Sequence, residues 1–480
     1  MKKIKYILLS VVMSSFVFQA CSEDKMDDIN KDKNNPENME SKYIITDVMT
    51  NTAFSVTGSD LAFYASIYSE LLGGGHAQMH NAQIRDGEPT LSSTYNNSWN
   101  NIYRNLRSLK LIISKCSEGG SESGNYHTKG IAQILTAYNL AVLTDLWGDV
   151  PYSEALDPSN NFQPKVDKQE EIYKEIFTLL DASIENLNQK SVYAALGQQD
   201  LVYRGDIAKW KKVAYGLKAR YLMRLSVVSP DYQSVIDNVD LSYKNETEDF
   251  SFQNDKIIYP FHRFSGDRDA LFSSKTLYDI INRLDSKDPR LADYMGVNDA
   301  NEVVLIDHSK EVKNSQSTYS RSGLSDASGN SFNSIYMQSY HEILFLKAEA
   351  QARLGKTSDA IATLELACKA ALNKKQSFKY PDYKRVIPSN LTGKDLLRRI
   401  AEEKYISFFE IESIEAYNDI RRWMAMGENL IVLQHKDSNK FPQRYTYGNS
   451  DVSNNPNITI LFGDGSYVYS ESVWWAKGTR

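Results

Sequence analysis

Four polar stretches hold side chains suited to grip a ligand. His76, His80 and Arg85 lie in HAQMHNAQIRDGEP, residues 76–89. His262, Arg263 and Arg268 fall within seven residues, Tyr319 and Arg321 stand two apart, and Trp474 and Trp475 adjoin near the chain's end. Hydrogen-bonding groups beside flat rings suit noncovalent capture. A pyranose offers a C–H face to a ring and hydroxyls at its rim, whereas Arg and His suit the carboxylates of a peptide. Trp474 and Trp475 have three open roles: stacking on a ligand, touching a partner, or folding back to close the core. No Gly-x-Ser-x-Gly, His-Glu-x-x-His or phosphate-binding glycine loop occurs, so neither a catalytic residue nor a cofactor is expected. A glycosidase would need two carboxyls at a set separation. Glu402-Glu403 and Glu410-x-Glu412 have basic neighbours and read as structural ion pairs instead. Asp464-Gly465-Ser466 and Asn298-Asp299 lack the twelve-residue calcium-loop pattern, so no metal is assigned.

A different chemistry marks the N-terminus. Lys2, Lys3 and Lys5 precede Tyr6–Phe18, an uncharged run of 13 residues, too short to span a bilayer and suited to a signal peptide. Phe18-Gln19-Ala20-Cys21 then resembles the bacterial lipobox. Cleavage would leave Cys21 lipidated at the new N-terminus. Removing residues 1–20 takes three Lys and no acids, so the formal charge moves from −6 to −9 (−6 − 3). That charge disfavours nucleic acid. Residues 21–41 read as a polar tether carrying the turn pair Asn35-Pro36, and 42–480 as one folded domain. Cys116 and Cys368 sit in apolar helical patterns and read as buried free thiols.

Helices must position these groups. The organising stretch is SYHEILFLKAEAQARLGKTSDAIATLELACKAA, Ser339–Ala371. Two runs with one apolar helical face flank Gly355, and Ala348, Gly355, Ala360, Leu364 and Ala367 keep tetratricopeptide offsets. One such hairpin cannot bury its own apolar face, so stacked neighbours are expected. The fold class predicted is all-α, with about four hairpins beginning near Ser92, Asp167, Ser339 and Lys394, an irregular loop-rich face and minor β-structure. Asp167 and Asp206 read as N-caps. Further helices are expected over 42–56, 59–72 and 268–284. Residues 76–89, 296–331 and everything after Asn429 read as loop, with a small hairpin near Val303–Asp307. Thirty Tyr, against 18 Phe and 6 Trp, fit wet interfaces or half-buried helix positions.

Several stretches together resemble the SusD/RagB outer-membrane lipoproteins. They are the Cys21 lipobox, Asn34-Asn35-Pro36-Glu37, Trp99-x3-Tyr103, Thr144–Leu156, Asp288-Pro289-Arg290-Leu291 and Leu346-Lys347-Ala348-Glu349-Ala350. Glu403-Lys404-Tyr405-x3-Phe409-Glu410 and Asn418-Asp419-Ile420-Arg421-Arg422-Trp423 complete the set. Ser22-Glu23-Asp24 with Asp27-Asp28 resembles the surface-export signal of such lipoproteins. The resemblance implies a lipid-anchored protein on the outer face of the outer membrane, paired with a SusC-like TonB-dependent transporter. It would bind oligosaccharides, or in some branches peptides, without turnover.

Overall fold

The computed structural model describes residues 39–88, 93–157, 159–253, 258–326, 334–374 and 383–480. Cys21 and the signal segment lie outside them. The described chain begins with α1 (Ser41–Asn51), which widens into a π-turn over Thr52–Thr57, and α2 (Asp60–Tyr68). A short strand β1 (Leu72–Gly74) and α3 (Ala77–Gln83) follow. Next come α4 (Ser93–Cys116), α5 (Tyr126–Trp147), α6 (Gln169–Asn188), α7 (Ile207–Arg224) and α8 (Tyr232–Leu241). An irregular region holds β2 (Phe250–Gln253), α9 (Pro260–Arg268), β3 (Leu271–Ser273), α10 (Lys275–Leu284), α11 (Arg290–Tyr294), α12 (Gly323–Asp326) and β4 (Ser334–Gln338). The second helical run is α13 (Tyr340–Arg353), α14 (Thr357–Lys374), α15 (Gly393–Ser407) and α16 (Ser413–Ala425). Three short helices, α17 (Asn449–Asn454), α18 (Pro456–Phe462) and α19 (Tyr467–Ser470), end it.

The fold is helical, and α4 to α8, α13 and α14 pack successively into a stack. Gly355 has φ 73°, the left-handed turn expected between α13 and α14. Asp206 caps α7 by accepting from the N–H groups of Ala208 and Lys209. Asp167 does not cap α6. Its carboxylate instead accepts from the N–H groups of Tyr152 and Ser153, 2.8 Å each, pinning the turn after α5. The helix expected over 268–284 is broken: α9 ends at Arg268, β3 intervenes, and α10 starts at Lys275. Residues 76–89 contain α3, and the tail beyond Asn429 contains α17 to α19, where loop was expected. No hairpin forms near Val303–Asp307; Ile306 instead pairs in parallel with Ser274. The last consecutive pair also departs from a simple hairpin, because α15 packs on α13 while α16 packs on α2.

Two antiparallel two-stranded sheets, β1–β3 and β2–β4, supply the minor β-structure. The Gly73-Gly74-Gly75 run does more than end a helix. A Cβ on Gly73 would lie 2.6 Å from Ile306, on Gly74 1.9 Å from the Met79 carbonyl oxygen, and on Gly75 2.5 Å from Phe272. Glycine is what allows β1 to lie against β3 and α3.

Buried charge ties the stack together. Arg220 donates to both carboxylate oxygens of Glu342, and Arg224 contacts Asp145 and Glu415. Arg385 and Arg399 converge on Glu403, while Arg290 and Arg385 hold Asp288. Glu402 pairs with Arg283, not with Arg398 four residues before it. The Tyr surplus fills the core as well. Tyr64, Tyr68, Tyr95, Tyr417 and Tyr445 form one buried aromatic cluster. Their hydroxyls find partners, as with Tyr445 to the Leu61 carbonyl at 2.8 Å, which meets the rule that a buried hydroxyl must be bonded. Cys116 and Cys368 are buried and unpaired, and burial pushes the Cys116 thiol up to about 11.

Candidate ligand-binding groove

The irregular region builds a groove along α9. Pro260 starts this helix, where its missing N–H costs nothing. Asp269 ends it in a left-handed conformation, φ 45°, and its carboxylate takes Arg321 Nε at 2.6 Å and Nη2 at 3.1 Å. Arg321 also reaches Asp299 at 2.9 Å, so it fastens α9 to the loop after α11. The wider part of the groove, about 480 Å³, is lined by Phe54, Phe63, Ile258, Pro260, Phe264 and the polar Arg263, Asp267 and Arg268. A further 220 Å³ continues past Phe264 and Arg268 to His76, Gln78 and Gln316. Phe63 packs on Phe264, with ring centroids 4.4 Å apart, so the aromatic floor is set by core contacts. Ile258 is 47% exposed and Arg263 projects to solvent, paired with Asp267 at 2.6 Å.

The sequence candidates divide among distinct places. His76, Arg263 and Arg268 line the groove. His262 is half-buried on α9. His80, Tyr319 and Arg321 act as pins beside it: His80 Nε2 bonds the Val312 carbonyl at 2.9 Å, and the Tyr319 hydroxyl accepts from Lys313 N–H at 2.9 Å. Arg85 is buried and lines a different cavity. Trp474 is half-buried near Tyr173. Trp475 is sealed in the core, with the guanidiniums of Arg421 and Arg224 4.9 and 5.3 Å from its ring. A ring so covered offers no face to a ligand, so of the roles open to Trp475 the structure selects core closure. Trp99, Trp147, Trp210 and Trp423 are buried packing residues, as expected. The sequence reading missed Phe54, Phe63, Phe264, Gln78 and Gln316. Phe264 had a signal, since Phe261 and Phe264 stand three apart, flanking His262 and Arg263, after a helix-starting proline.

A buried histidine underlies the region. His308 Nδ1 accepts from the Gln83 amide at 3.0 Å and its Nε2–H donates to the Ser274 hydroxyl at 2.9 Å, which fixes a neutral ring. Burial lowers its pKa to about 4, with Arg85 and His435 acting in the same direction and Glu70 against it. In the unfolded chain the ring titrates near 6.5. The folded value is the lower one, so this stability is complete above pH 6.5 and lost as pH falls toward 4. The loss amounts to about 3 kcal/mol. Urea unfolding between pH 4.5 and 7 should show that slope, and His308→Asn should flatten it.

The groove can bind by apolar contact and hydrogen bonding. Among the described residues no cluster of His, Cys, Asp or Glu has metal-binding geometry, and no helix is long and apolar enough to cross a membrane. A family model described as starch-binding and associating with the outer membrane matches residues 33–448. A SusD/RagB family protein from Bacteroides thetaiotaomicron is 35% identical and covers 92% of this chain and 100% of its own, with a TM-score of 0.81. A chitin-binding SusD homologue from Flavobacterium johnsoniae is 19% identical over 91% of this chain and 98% of its own, with a TM-score of 0.72. A Bacteroides vulgatus outer-membrane protein described as probably involved in nutrient binding is also 19% identical, over 91% of this chain and 100% of its own, with a TM-score of 0.70. A search of curated proteins gives no match. The length of the family match and the 35% identity along nearly the whole fold identify the chain as a member of the SusD-like family.

Proposed function

We propose that this protein captures extracellular oligosaccharides in the α9 groove and delivers them to a SusC-like TonB-dependent transporter, with no bond made or broken. The observation that carries the reading is the groove's make-up. An aromatic and aliphatic floor of Phe54, Phe63, Phe264 and Ile258 is edged by Arg263, Asp267, Arg268, Gln78 and His76. Such a site pairs C–H faces with ring carbons and hydroxyls with paired polar groups. His76 and Gln316 extend the polar edge, while His80, Tyr319 and Arg321 brace the segments beside it. The family's outer-membrane association supports placing this activity at the cell envelope. Peptides are the competing ligand class, and a titration series of oligosaccharides and peptides of matched size separates the two.

Lipid on Cys21 would tether the domain through the polar segment that follows. Cys21→Ala should release the protein from the membrane pellet into the soluble fraction, and unchanged pelleting would contradict the anchor. Co-purification with a TonB-dependent transporter from detergent extracts tests the partner directly.

A further inference from the structure

A second cavity, about 350 Å³, opens where α16 ends, between Arg85 and the segment 427–441. Its walls are mainly apolar, from Met424, Ile431, Leu433 and Phe441. At its inner side sits Arg85, 2% exposed, whose Nε and Nη1 have no hydrogen-bond partner among the described residues. A buried guanidinium with N–H groups unmet is costly, so its presence asks for an explanation. The Tyr68 ring lies 4.8 Å away and offsets part of that cost. Glu88 supplies nearby negative charge, but its carboxylate is taken by the hydroxyls of Tyr68 at 3.2 Å and Tyr469 at 2.6 Å. The backbone at Arg85 is left-handed, φ 54°, a conformation that a residue with a Cβ keeps only when its surroundings impose it.

Two of the other polar groups lining the cavity, His435 and Glu428, are occupied. His435 accepts from Asp437 N–H at 3.1 Å through Nδ1, so its Nε2 carries the proton, donated to the Gln83 carbonyl at 2.7 Å. It is therefore a neutral ring with both nitrogens used. Glu428 is held by Arg353 at 2.7 and 3.0 Å. Asp437, half-buried, also lines the cavity. The volume lies at the small end of ligand pockets, which run from about 300 to 1,000 Å³. We infer that this cavity is a second ligand site, separate from the α9 groove, which takes a small carboxylic acid with an apolar body and pairs its carboxylate with Arg85.

Hexanoate is the probe, and hexanamide is its neutral counterpart of the same shape. Saturation-transfer NMR titrations use purified full-length protein, the Arg85→Gln variant, and Met424→Trp, which fills the cavity from its exposed side. Hexanoate should saturate the wild type, while hexanamide on the wild type and hexanoate on either variant should be at least about tenfold weaker. Equal affinity for acid and amide, undiminished hexanoate binding by Met424→Trp, or no saturation by hexanoate would each overturn the inference. Should Arg85→Gln fail to fold, as judged by circular dichroism, the Met424→Trp comparison decides alone. Oligosaccharide binding at α9 is measured on the same samples and should be unchanged by Met424→Trp, so the two sites succeed or fail independently.

Discussion

Glu349→Ala should destabilise the protein by about 3–5 kcal/mol, the range for breaking a buried ion pair by removing one partner. Glu349 is 2% exposed at the centre of α13. Arg422 meets it with two parallel bonds, 2.8 and 2.7 Å, and Arg353 Nε and Trp423 Nε1 add bonds of 2.9 and 3.2 Å. Burial alone would raise its pKa, but the guanidiniums of Arg422 and Arg353 win and hold it well below the carboxylate range. Deleting the carboxylate leaves Arg422 buried with, among the described residues, only Asp419 as a paired acid, 3.0 Å away. Urea unfolding measures the effect. Lys174→Ala, which removes an exposed pair with Glu170 and Glu171, should leave the midpoint where it is. A small change from Glu349→Ala would mean that the buried network does not hold the stack together.

The second large effect belongs to the groove. Phe264→Ala should weaken oligosaccharide binding by roughly thirtyfold, because it removes about 2 kcal/mol of apolar contact from the floor. Arg268→Ala should cost roughly tenfold or more through lost charge-assisted hydrogen bonds. Arg268 lines both parts of the groove, and its own side chain is exposed, so this variant should fold normally. Calorimetric titration of each variant with the best-bound oligosaccharide checks both figures. Met424→Trp, on the other cavity, is the matched control and should bind the sugar as the wild type does.

Residues that hold the fold together were easier to read in the sequence than residues that face a ligand. The hairpin around Gly355 follows from helical spacing and one left-handed turn, both local properties. The stretches that carry the family resemblance turn out to be partners in the buried network. Glu349 meets Arg422 and Trp423, Lys404 meets Asp419 at 2.6 Å, and Asp288 meets Arg290. Spacing along the chain does not reveal the first two pairings, since their members come from different helices; Asp288 and Arg290 stand only two residues apart. α8 leaves only a weak helix signal in the sequence, because only Val235, Ile236 and Val239 mark its buried face within ten residues. α18 was obscured by Ile460, 79% exposed, which gave Ile458, Ile460 and Phe462 the look of alternation.

The groove was half legible. His76, Arg263 and Arg268 lie in polar segments, where chemistry stands out from packing. Phe54 and Phe63 lie in helical patterns that read as core, and they become floor only because α9, some two hundred residues later, leaves one side of them open. Trp475 shows the opposite case. Placed in a pattern-free tail, it ends up buried, with its backbone N–H on the Gln169 side chain at 3.1 Å.

Calorimetry on a panel of oligosaccharides, comparing the full-length protein with a Phe264→Ala, Arg268→Ala double variant, bears most directly on how this protein works. Saturable heat from at least one sugar, recovered unhydrolysed afterward and lost in the double variant, is the predicted result. Silence across the panel, cleavage of the sugar, or full affinity in the double variant would contradict it.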